Sequence, residues 1–388
     1  MTSHVDASFS KEHNRKLILR HILNTPASRI QLAALTGLTR AGTGVIVDSL
    51  IKDGFVTEEI VKRPGKGRLP RALSIRDDAL FALGINITRS GGAVGICGLS
   101  EKTVTQRSVP LSGVANARQG IEVLCRAVKA MLDADPVPRE KIIGAGVTSP
   151  GPVDSSGGII LTPPDFAIWE NFPIKSILES RLDMPVYLEN NAIARTIEEQ
   201  YYGLGKDCEN FVCLVVDNGI GGGVVIRNEL VKGTGGFGSE LGHLTIDIRG
   251  ERCYCGNIGC LELYANPKNF SAEARRAGRP VSGWDEIALR ASEGDPFFTE
   301  LVERMASYLA CACTNLINLF EPQRIILSGE LNTHSGLLIR HIQARVDRYR
   351  INRNIRQVEI LPSKLIRRHG VMAAATVLFS RYLTSPIQ

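Results

Sequence analysis

One histidine and three cysteines fall within eighteen residues of one another, and this cluster constrains the fold more than any other feature of the sequence. The four residues are His243, Cys253, Cys255 and Cys260, in a segment that also contains several glycines. Four imidazole and thiolate groups satisfy a tetrahedral zinc ion, and a full set leaves no position for water or substrate. We therefore predict one structural zinc ion per chain, bound by these four residues.

The remaining six of the nine cysteines are scattered through apolar segments, and we interpret them as core residues. The chain is 44% hydrophobic and 22% charged, which excludes disorder, collagen and coiled coil as its main architecture. No apolar run approaches the roughly 18 residues that span a bilayer, and the amino terminus lacks an apolar signal stretch. We expect a cytoplasmic protein without a membrane partner.

Charge is distributed unevenly along the chain. Residues 1–76 carry 13 Lys and Arg against 6 Asp and Glu, whereas the remainder carries 33 against 34. A small basic domain joined to a large neutral one is typical of a nucleic-acid reader attached to a domain that binds a neutral ligand. We predict a DNA-binding domain over 1–76 and an effector-binding domain over 77–388.

The basic segment has the pattern of a helix-turn-helix. A helical repeat over 12–24 precedes Pro26, Ser28 suits the N-cap of a short second helix, and Gly37 ends that helix. The third helix begins at Thr39, and its predicted buried face is Val45, Ile46, Leu50 and Ile51. The residues placed to reach base edges in the major groove are Thr39, Arg40 and Thr43.

Two glycines, Gly42 and Gly44, interrupt this third helix, and each costs about 1 kcal/mol relative to alanine. After it, the alternating segments FVTEEIV and RALSI flank the basic tip KRPGKGR, which predicts a hairpin and hence a winged helix-turn-helix. Lys66 and Arg68 in the tip are candidate minor-groove contacts. A flexible basic linker is the alternative interpretation.

From residue 80 onward, short apolar strands alternate with amphipathic helices, and a second such block begins near 210. A long apolar helix over about 297–320 precedes another strand. The pattern predicts two α/β lobes with a cleft between them, over about 77–195 with the C-terminal helix and about 196–365.

Several segments of the large domain resemble the ROK family of bacterial repressors and sugar kinases. They are GAGVTSPGPVDSSGGII, ENNA at 189–192, GIGGGVVI, GFGSELGH, CYCGNIGCLE and HGVMAAA. The resemblance covers 80–388, and the winged helix-turn-helix in front is what the family's repressors carry. It implies a two-lobed, actin-like ATPase fold with sugar in the cleft, and a homodimer or, alternatively, a tetramer. The residues it implies for effector binding are Asp165, Asn190, Asn191, Glu240, His243 and Glu262.

The same resemblance argues against kinase activity. Kinases of the family have a proton-accepting Asp where this chain has Asn191, and an amide cannot accept the proton. Their first phosphate loop has an Asp and a Gly-Gly-Thr where this chain reads Asn86-Ile-Thr-Arg-Ser90. Asp217 stands in the second loop and would repel phosphate. We expect no catalytic residue and no ATP cofactor.

The combined prediction is a sugar-responsive transcriptional repressor of carbohydrate-metabolism genes, with a catalytically dead sugar-kinase fold as its sensor. Its expected partners are an operator DNA duplex and a small neutral sugar, and we expect it to be associated with the nucleoid when it binds the operator. A phosphosugar is the alternative ligand, with Arg89 or Arg195 near its phosphate. Two further alternatives are a domain that responds to a protein partner and an active sugar kinase.

Overall fold

The computed structural model describes residues 7–60, 71–134, 137–234, 236, 238–349, 351, 357–365 and 370–384. The chain divides into two compact units, Met1–Ala194 with Arg367–Gln388 and Arg195–Ile366. Helices and strands mix in both units, so the predicted α/β fold class is confirmed. The bounds expected for the DNA-binding domain and for the two lobes stay predictions.

The first unit begins with three helices and a hairpin. They are α1 (Ala7–Asn24), α2 (Arg29–Thr36), α3 (Arg40–Lys52) and the antiparallel strands β1 (Val56–Ile60) and β2 (Arg71–Ile75). Ser28 caps α2 because its hydroxyl accepts the Gln31 N–H, while the Gln31 side chain accepts the Ser28 N–H at 2.8 Å. Gly37 ends α2 with φ of 70°. The predicted cap and stop residues are therefore confirmed.

The buried face of α3 differs from the predicted one. Thr43, Val47 and Leu50 are each 0% exposed, and their spacing of four and three residues places them on one side of the helix. Val45 is 67% exposed, because two residues correspond to about 200° of rotation from Thr43. The prediction that Val45 is buried was wrong, since helical periodicity alone does not say which face the neighbouring helices cover.

A five-stranded sheet forms the body of the first unit. Its elements are β3 (Phe81–Thr88), β4 (Gly91–Gly98), β5 (Thr103–Val109), α4 (Ala117–Ala134), β6 (Ile142–Ser149), β7 (Val153–Asp154), β8 (Ile159–Ile160), α5 (Ile174–Leu182) and β9 (Val186–Asn190). The strand order is β5-β4-β3-β6-β9, with β3, β6 and β9 parallel and the other pairs antiparallel. Leu124 of α4 and Leu178 of α5 pack with Leu83 and Ile85 of β3, so these two helices cover one face.

The second unit repeats this topology. Its elements are α6 (Asn191–Tyr202), which starts in the first unit, β10 (Phe211–Val216), β11 (Ile220–Ile226), β12 (Glu229–Leu230), α7 (Leu261–Tyr264), α8 (Pro267–Arg276), α9 (Trp284–Ser292), α10 (Pro296–Phe320), β13 (Arg324–Gly329), α11 (Gly336–Tyr349) and β14 (Glu359–Pro362). The strand order is β12-β11-β10-β13-β14, with β10, β13 and β14 parallel. The last helix, α12 (Val371–Thr384), returns to pack on the sheet of the first unit.

The long helix α10 supplies much of the core of the second unit. Leu309, Cys313 and Leu316 on it are each 0% exposed, as predicted for a long apolar helix at this place. Within the described part of the chain no single helix has the length and apolarity to cross a membrane, and only the pair α2 and α3, bent by 117°, meets both criteria together.

Candidate functional site

The start of α3 presents two of the expected DNA-binding residues. Thr39 and Arg40 are exposed, and the Thr39 hydroxyl caps α3 by accepting the Gly42 N–H at 3.1 Å. Thr43 is instead fully buried, and its hydroxyl has no hydrogen-bond partner among the described residues. The expectation that the Thr43 side chain faces DNA is corrected, because it lies on the packed side of α3. Lys66 and Arg68 lie outside the described residues.

Two arginines of the basic segment serve the fold. Arg29 donates to both carboxylate oxygens of Glu58 at 3.0 and 3.3 Å and to Asp48 at 2.7 Å. Arg15 lies 2.7 Å from the carboxylate of Asp53. These ion pairs join α1, α2, α3 and β1, so part of the basic excess is neutralised inside the domain. Charge counting along the sequence does not separate such arginines from those that face DNA.

The four predicted metal ligands are brought together in the second unit. The ligand atoms of His243, Cys253, Cys255 and Cys260 all lie within 4.8 Å of one another. The Cys253 Sγ is 3.7 Å from the Nδ1 of His243, and the Cys255 and Cys260 sulfurs are also 3.7 Å apart. This set of three thiols and one imidazole can hold a metal ion. We call residues 243–262 the metal loop.

Backbone geometry explains the glycines of the metal loop. Gly256 and Gly259 have φ of 93° and 68°, a region that side chains disfavour. A Cβ on Gly259 would lie 1.7 Å from the Asp247 carbonyl oxygen, so no larger residue fits without displacing backbone. The Cys253 N–H donates to the Asn257 carbonyl at 2.8 Å. The turn between the second and third cysteines is therefore fixed by backbone contacts.

The thiols of the metal loop differ in acidity. Burial raises the pKa of Cys253 and, with the two neighbouring thiols, raises the pKa of Cys260 to about 12. Desolvation also acts to raise the pKa of Cys255, but hydrogen bonds from the Asn257 backbone and the other thiols outweigh it and lower that pKa. A bound cation favours all three thiolates, so metal binding releases their protons.

Tyr254, which the sequence did not single out, contacts the imidazole of the cluster. Its hydroxyl lies 3.3 Å from the Nε2 of His243, and the two rings meet edge-on at 5.4 Å between centroids. Nδ1 of His243 therefore faces Cys253, and Nε2 faces the phenol. The sequence feature that could have identified Tyr254 is its position, because an aromatic residue that can hydrogen-bond stands between two cysteines of the cluster. Such outer partners orient a ligating imidazole.

Of the two carboxylates expected to bind effector in the second unit, Glu262 is the last residue of the metal loop and Glu240 shortly precedes the loop. Glu262 follows Cys260 closely, and its Oε2 accepts the Ile220 N–H at 2.7 Å. Glu240 is exposed at the surface, yet nearby protein atoms desolvate its carboxyl and raise its pKa, an effect that His243 opposes and Glu262 reinforces. Glu240, His243 and Glu262 thus share one electrostatic environment within the second unit.

The second glycine loop is occupied by internal contacts. Asp217 pairs with Arg195, with 2.8 Å between carboxylate oxygen and guanidinium nitrogen. A Cβ on Gly222 would lie 2.2 Å from the Cys213 carbonyl oxygen, and one on Gly223 would lie 2.7 Å from the Thr196 hydroxyl. These two glycines are required by strand and helix packing whether or not a phosphate binds.

In the first unit, Asn190 and Asn191 mark the junction of β9 and α6. The Asn190 Oδ1 accepts the Ala192 N–H at 2.8 Å, so this side chain caps α6. Asp165 is exposed, with φ of 54°, in a loop whose Pro164 carbonyl accepts the Arg89 Nε–H at 3.0 Å. These three expected effector residues belong to the first unit.

Comparison with known proteins identifies relatives along the chain. The ROK family model matches residues 82–381. The xylose repressor of Bacillus subtilis (strain 168) is 29% identical over 384 residues, covering 97% of this chain and 98% of that protein. The DNA-binding transcriptional dual regulator NagC of Escherichia coli (strain K12) is 28% identical over 366 residues, covering 91% of this chain and 88% of that protein.

Solved structures agree on the fold. A ROK family transcriptional regulator, a homolog of the E. coli MLC protein, matches with a TM-score of 0.78 and 23% identity, over 97% of both chains. The ROK hexokinase from Thermus thermophilus matches with a TM-score of 0.65 and 28% identity, over 78% of this chain and all of its own. Since the family model extends over most of the sequence, this chain belongs to the ROK family.

Proposed function

We propose that this protein is a sugar-responsive transcriptional regulator, a repressor of carbohydrate-metabolism genes that acts in the cytoplasm and at the nucleoid. The observation that carries the proposal is the capped helix-turn-helix that precedes the ROK domain in one chain. The match to the hexokinase covers 78% of this chain, whereas the match to the xylose repressor covers 97% of this chain and 98% of that protein.

We propose that the ROK domain has no kinase activity. Asn191 offers an amide where the resemblance implies a proton-accepting Asp. Arg195 of α6 forms an ion pair with Asp217 of the second phosphate loop, so a phosphate at this loop would meet the carboxylate and compete for its arginine. Arg89 occupies a glycine position of the first phosphate loop and is engaged with the Pro164 carbonyl. Nucleotide binding is therefore disfavoured at both loops.

We propose that the metal loop binds one structural zinc ion. With zinc bonds of about 2.3 Å to sulfur and about 2.0 Å to nitrogen, a tetrahedral site separates two sulfurs by about 3.8 Å and a sulfur from a nitrogen by about 3.5 Å. The Cys255–Cys260 and Cys253–His243 separations, both 3.7 Å, lie within about 0.2 Å of these values. When bound, the ion supplies folding free energy to the loop, and Cys260 then holds the nearby Glu262 in place.

We propose that a neutral sugar is the effector. The residues proposed are Asp165, Asn190 and Asn191 of the first unit and Glu240, His243 and Glu262 of the second. At His243, a sugar hydroxyl would take the place of the Tyr254 hydroxyl at Nε2, because Nδ1 faces Cys253. Carboxylates, amides and imidazole hydrogen-bond well to neighbouring hydroxyls. Because the Oε2 of Glu262 already accepts the Ile220 N–H, we assign its Oε1 to the sugar.

We propose that Thr39, Arg40, Lys66 and Arg68 contact DNA. The Thr39 oxygen caps α3, and its O–H remains able to donate to a phosphate at the helix N-terminus. Arg40 is exposed one residue further on. A homodimer suits an operator with two half-sites.

A thermal-shift and turnover experiment tests the proposal. Wild type and Glu262→Gln are heated with D-xylose, N-acetylglucosamine and their phosphates, and ADP formation is followed with ATP present. We expect one sugar to raise the melting temperature of wild type but not of Glu262→Gln, without ADP formation. Sugar-dependent ADP formation would support the alternative of an active sugar kinase. A rise in melting temperature with the sugar phosphates alone would support a phosphosugar as the effector. If no sugar changes the melting temperature and a sugar-transport component binds the protein, the alternative of a protein partner is supported.

A further inference from the structure

The last helix lies directly on the backbone of the first sheet. A Cβ on Gly84 of β3 would lie 2.0 Å from the Val371 carbonyl oxygen, and one on Gly146 of β6 would lie 1.7 Å from the Ala374 carbonyl oxygen. No side chain therefore separates α12 from these strands at either contact. A helix in such close contact moves with the strands, because any sliding brings backbone atoms into collision.

The beginning of α12 lies beside the carboxyl ends of β3 and β6. A Cβ on Gly370 would lie 2.7 Å from the Nδ2 of Asn86. The Asn86 Oδ1 accepts the Thr148 hydroxyl at 2.8 Å, which joins the two strands at this end. Asn86 stands where the resemblance implies the metal-orienting carboxylate of a phosphate loop. This end of α12 is thus in contact with the carboxyl ends of β3 and β6.

The other end of α12 contacts the DNA-binding segment. The Lys16 ammonium of α1 lies over the Tyr382 ring, 5.2 Å from its centroid. Burial raises the pKa of the Tyr382 phenol, Glu12 adds to the rise, and Arg15 opposes it. Lys16 of α1 therefore contacts the Tyr382 ring of α12, and Glu12 and Arg15 of the same helix contribute to the electrostatic environment of its phenol.

The same face of α1 holds the end of α3. The Arg15 Nη1 is 2.7 Å from the Asp53 carboxylate and donates to the Ser49 hydroxyl at 2.6 Å. The Arg15 guanidinium also lies over the Phe55 ring, 5.2 Å from its centroid. A displacement of α1 is thereby passed to α3, the helix with Thr39 and Arg40 at its start.

We propose that Tyr382 is a positioning residue that, through Lys16, couples the Asn86–Thr148 end of the first sheet to the DNA-binding helices. A change at that end of the sheet carries α12 with it, and the Tyr382 contact transmits the movement to α1 and α3. The inference rests on the proposed function for its biological role, in which an effector supplies the change. The coupling itself is a property of the protein alone.

A double-mutant cycle in amide hydrogen exchange tests the coupling in the full chain without sugar or DNA. Thr148→Val perturbs the end of the first sheet, because it removes the hydroxyl that donates to the Asn86 side chain. This substitution is made in three backgrounds: wild type, Tyr382→Leu and Tyr382→Phe. In wild type we expect Thr148→Val to change exchange in α1 and α3 at least threefold. The Tyr382→Phe background keeps the ring under Lys16 and should respond as wild type does. The Tyr382→Leu background should not respond.

Tyr349→Leu, which removes an exposed tyrosine of another helix, is the matched control and should leave the response intact. Equal responses in wild type and in the Tyr382→Leu background would overturn the proposal, and so would the absence of any response in α1 and α3 of the wild-type background. Because the cycle contains neither sugar nor operator, its outcome is separate from that of the sugar-binding experiment, and either one can fail alone.

Discussion

Helix α3 and the metal loop are stabilised by different kinds of interaction. Val47 and Leu50 of α3 are 0% exposed and pack in the core of the amino-terminal helices. In the metal loop, Leu261 is 0% exposed, but Ile248 is 83% exposed, Tyr254 59% and Ile258 46%, so the large apolar side chains of residues 248–258 contribute little burial. Apolar burial stabilises α3, at about 25 cal/mol per Å², whereas ligands and turn geometry must fix the loop. Damage to one region should therefore leave the other intact.

The largest expected effect follows from removal of a metal ligand. We expect Cys260→Ser to lower metal affinity at least 1000-fold, because structural zinc sites in small domains contribute about 10 kcal/mol or more. Metal content by mass spectrometry and hydrogen exchange over residues 243–262 measure this, and exchange in α3 should not change. Cys311→Ser, at an exposed cysteine outside the cluster, is the control. A Cys260→Ser protein that retains one tightly bound metal ion would refute the ligand assignment.

The next prediction perturbs the packing of α3 and leaves the metal loop unchanged. Leu50→Ala should lower the free energy of opening of the amino-terminal helices by about 2–5 kcal/mol, because it leaves a cavity at a fully buried position. Val45→Ala, at a side chain that is 67% exposed, should change it by no more than about 0.5 kcal/mol. Hydrogen exchange in α1 and α3 gives both values, and metal content should stay at wild-type level. Similar losses for both variants would show that the packed face is misassigned.

A smaller effect is expected at the outer partner of the imidazole. Tyr254→Phe keeps the ring contact with His243 but removes the hydroxyl near Nε2, so the metal dissociation constant should rise about 10- to 100-fold. Competition with a chromophoric chelator measures the constant. Tyr349→Phe, at a tyrosine outside the loop, is the control. An unchanged constant in Tyr254→Phe would mean that the phenol does not orient the imidazole.

The smallest effect concerns the glycines of α3. Gly44→Ala should stabilise the helix by about 1 kcal/mol, since its Cβ meets no atom within 4 Å. Gly42→Ala should gain less, because its Cβ would lie 3.1 Å from the Thr39 hydroxyl that caps the helix. Exchange rates in α3 compare the two variants. A larger gain for Gly42→Ala than for Gly44→Ala would contradict this cap geometry.

The two regions also differed in how far the sequence predicted them. All four residues of the metal cluster were identified because few residue types ligate metals and their spacing is short. Helix limits at Ser28 and Gly37 were predictable because capping is local chemistry. The burial of Thr43 and exposure of Val45 depend on which face α1 and α2 cover, which periodicity does not record.

Contacts between distant parts of the chain were not predictable from local patterns. The contact of Lys16 with Tyr382 joins opposite ends of the sequence, and the pair of Arg195 with Asp217 joins a helix to a loop after a strand. No spacing rule connects such residues, because the folded sheet alone brings them together. The resemblance supplied the overall fold, but not these contacts.

The most direct test of the account is fluorescence-anisotropy binding to the DNA that flanks the protein's own gene, at two salt concentrations, with and without D-xylose, N-acetylglucosamine and their phosphates. We expect specific binding that weakens with salt, as phosphate contacts require, and that one sugar changes at least fivefold. Arg40→Ala should weaken this binding about tenfold relative to Arg107→Ala, an exposed arginine on β5. Specific binding that no sugar changes would contradict the sugar-sensing role, and no specific binding to this DNA would contradict the account as a whole.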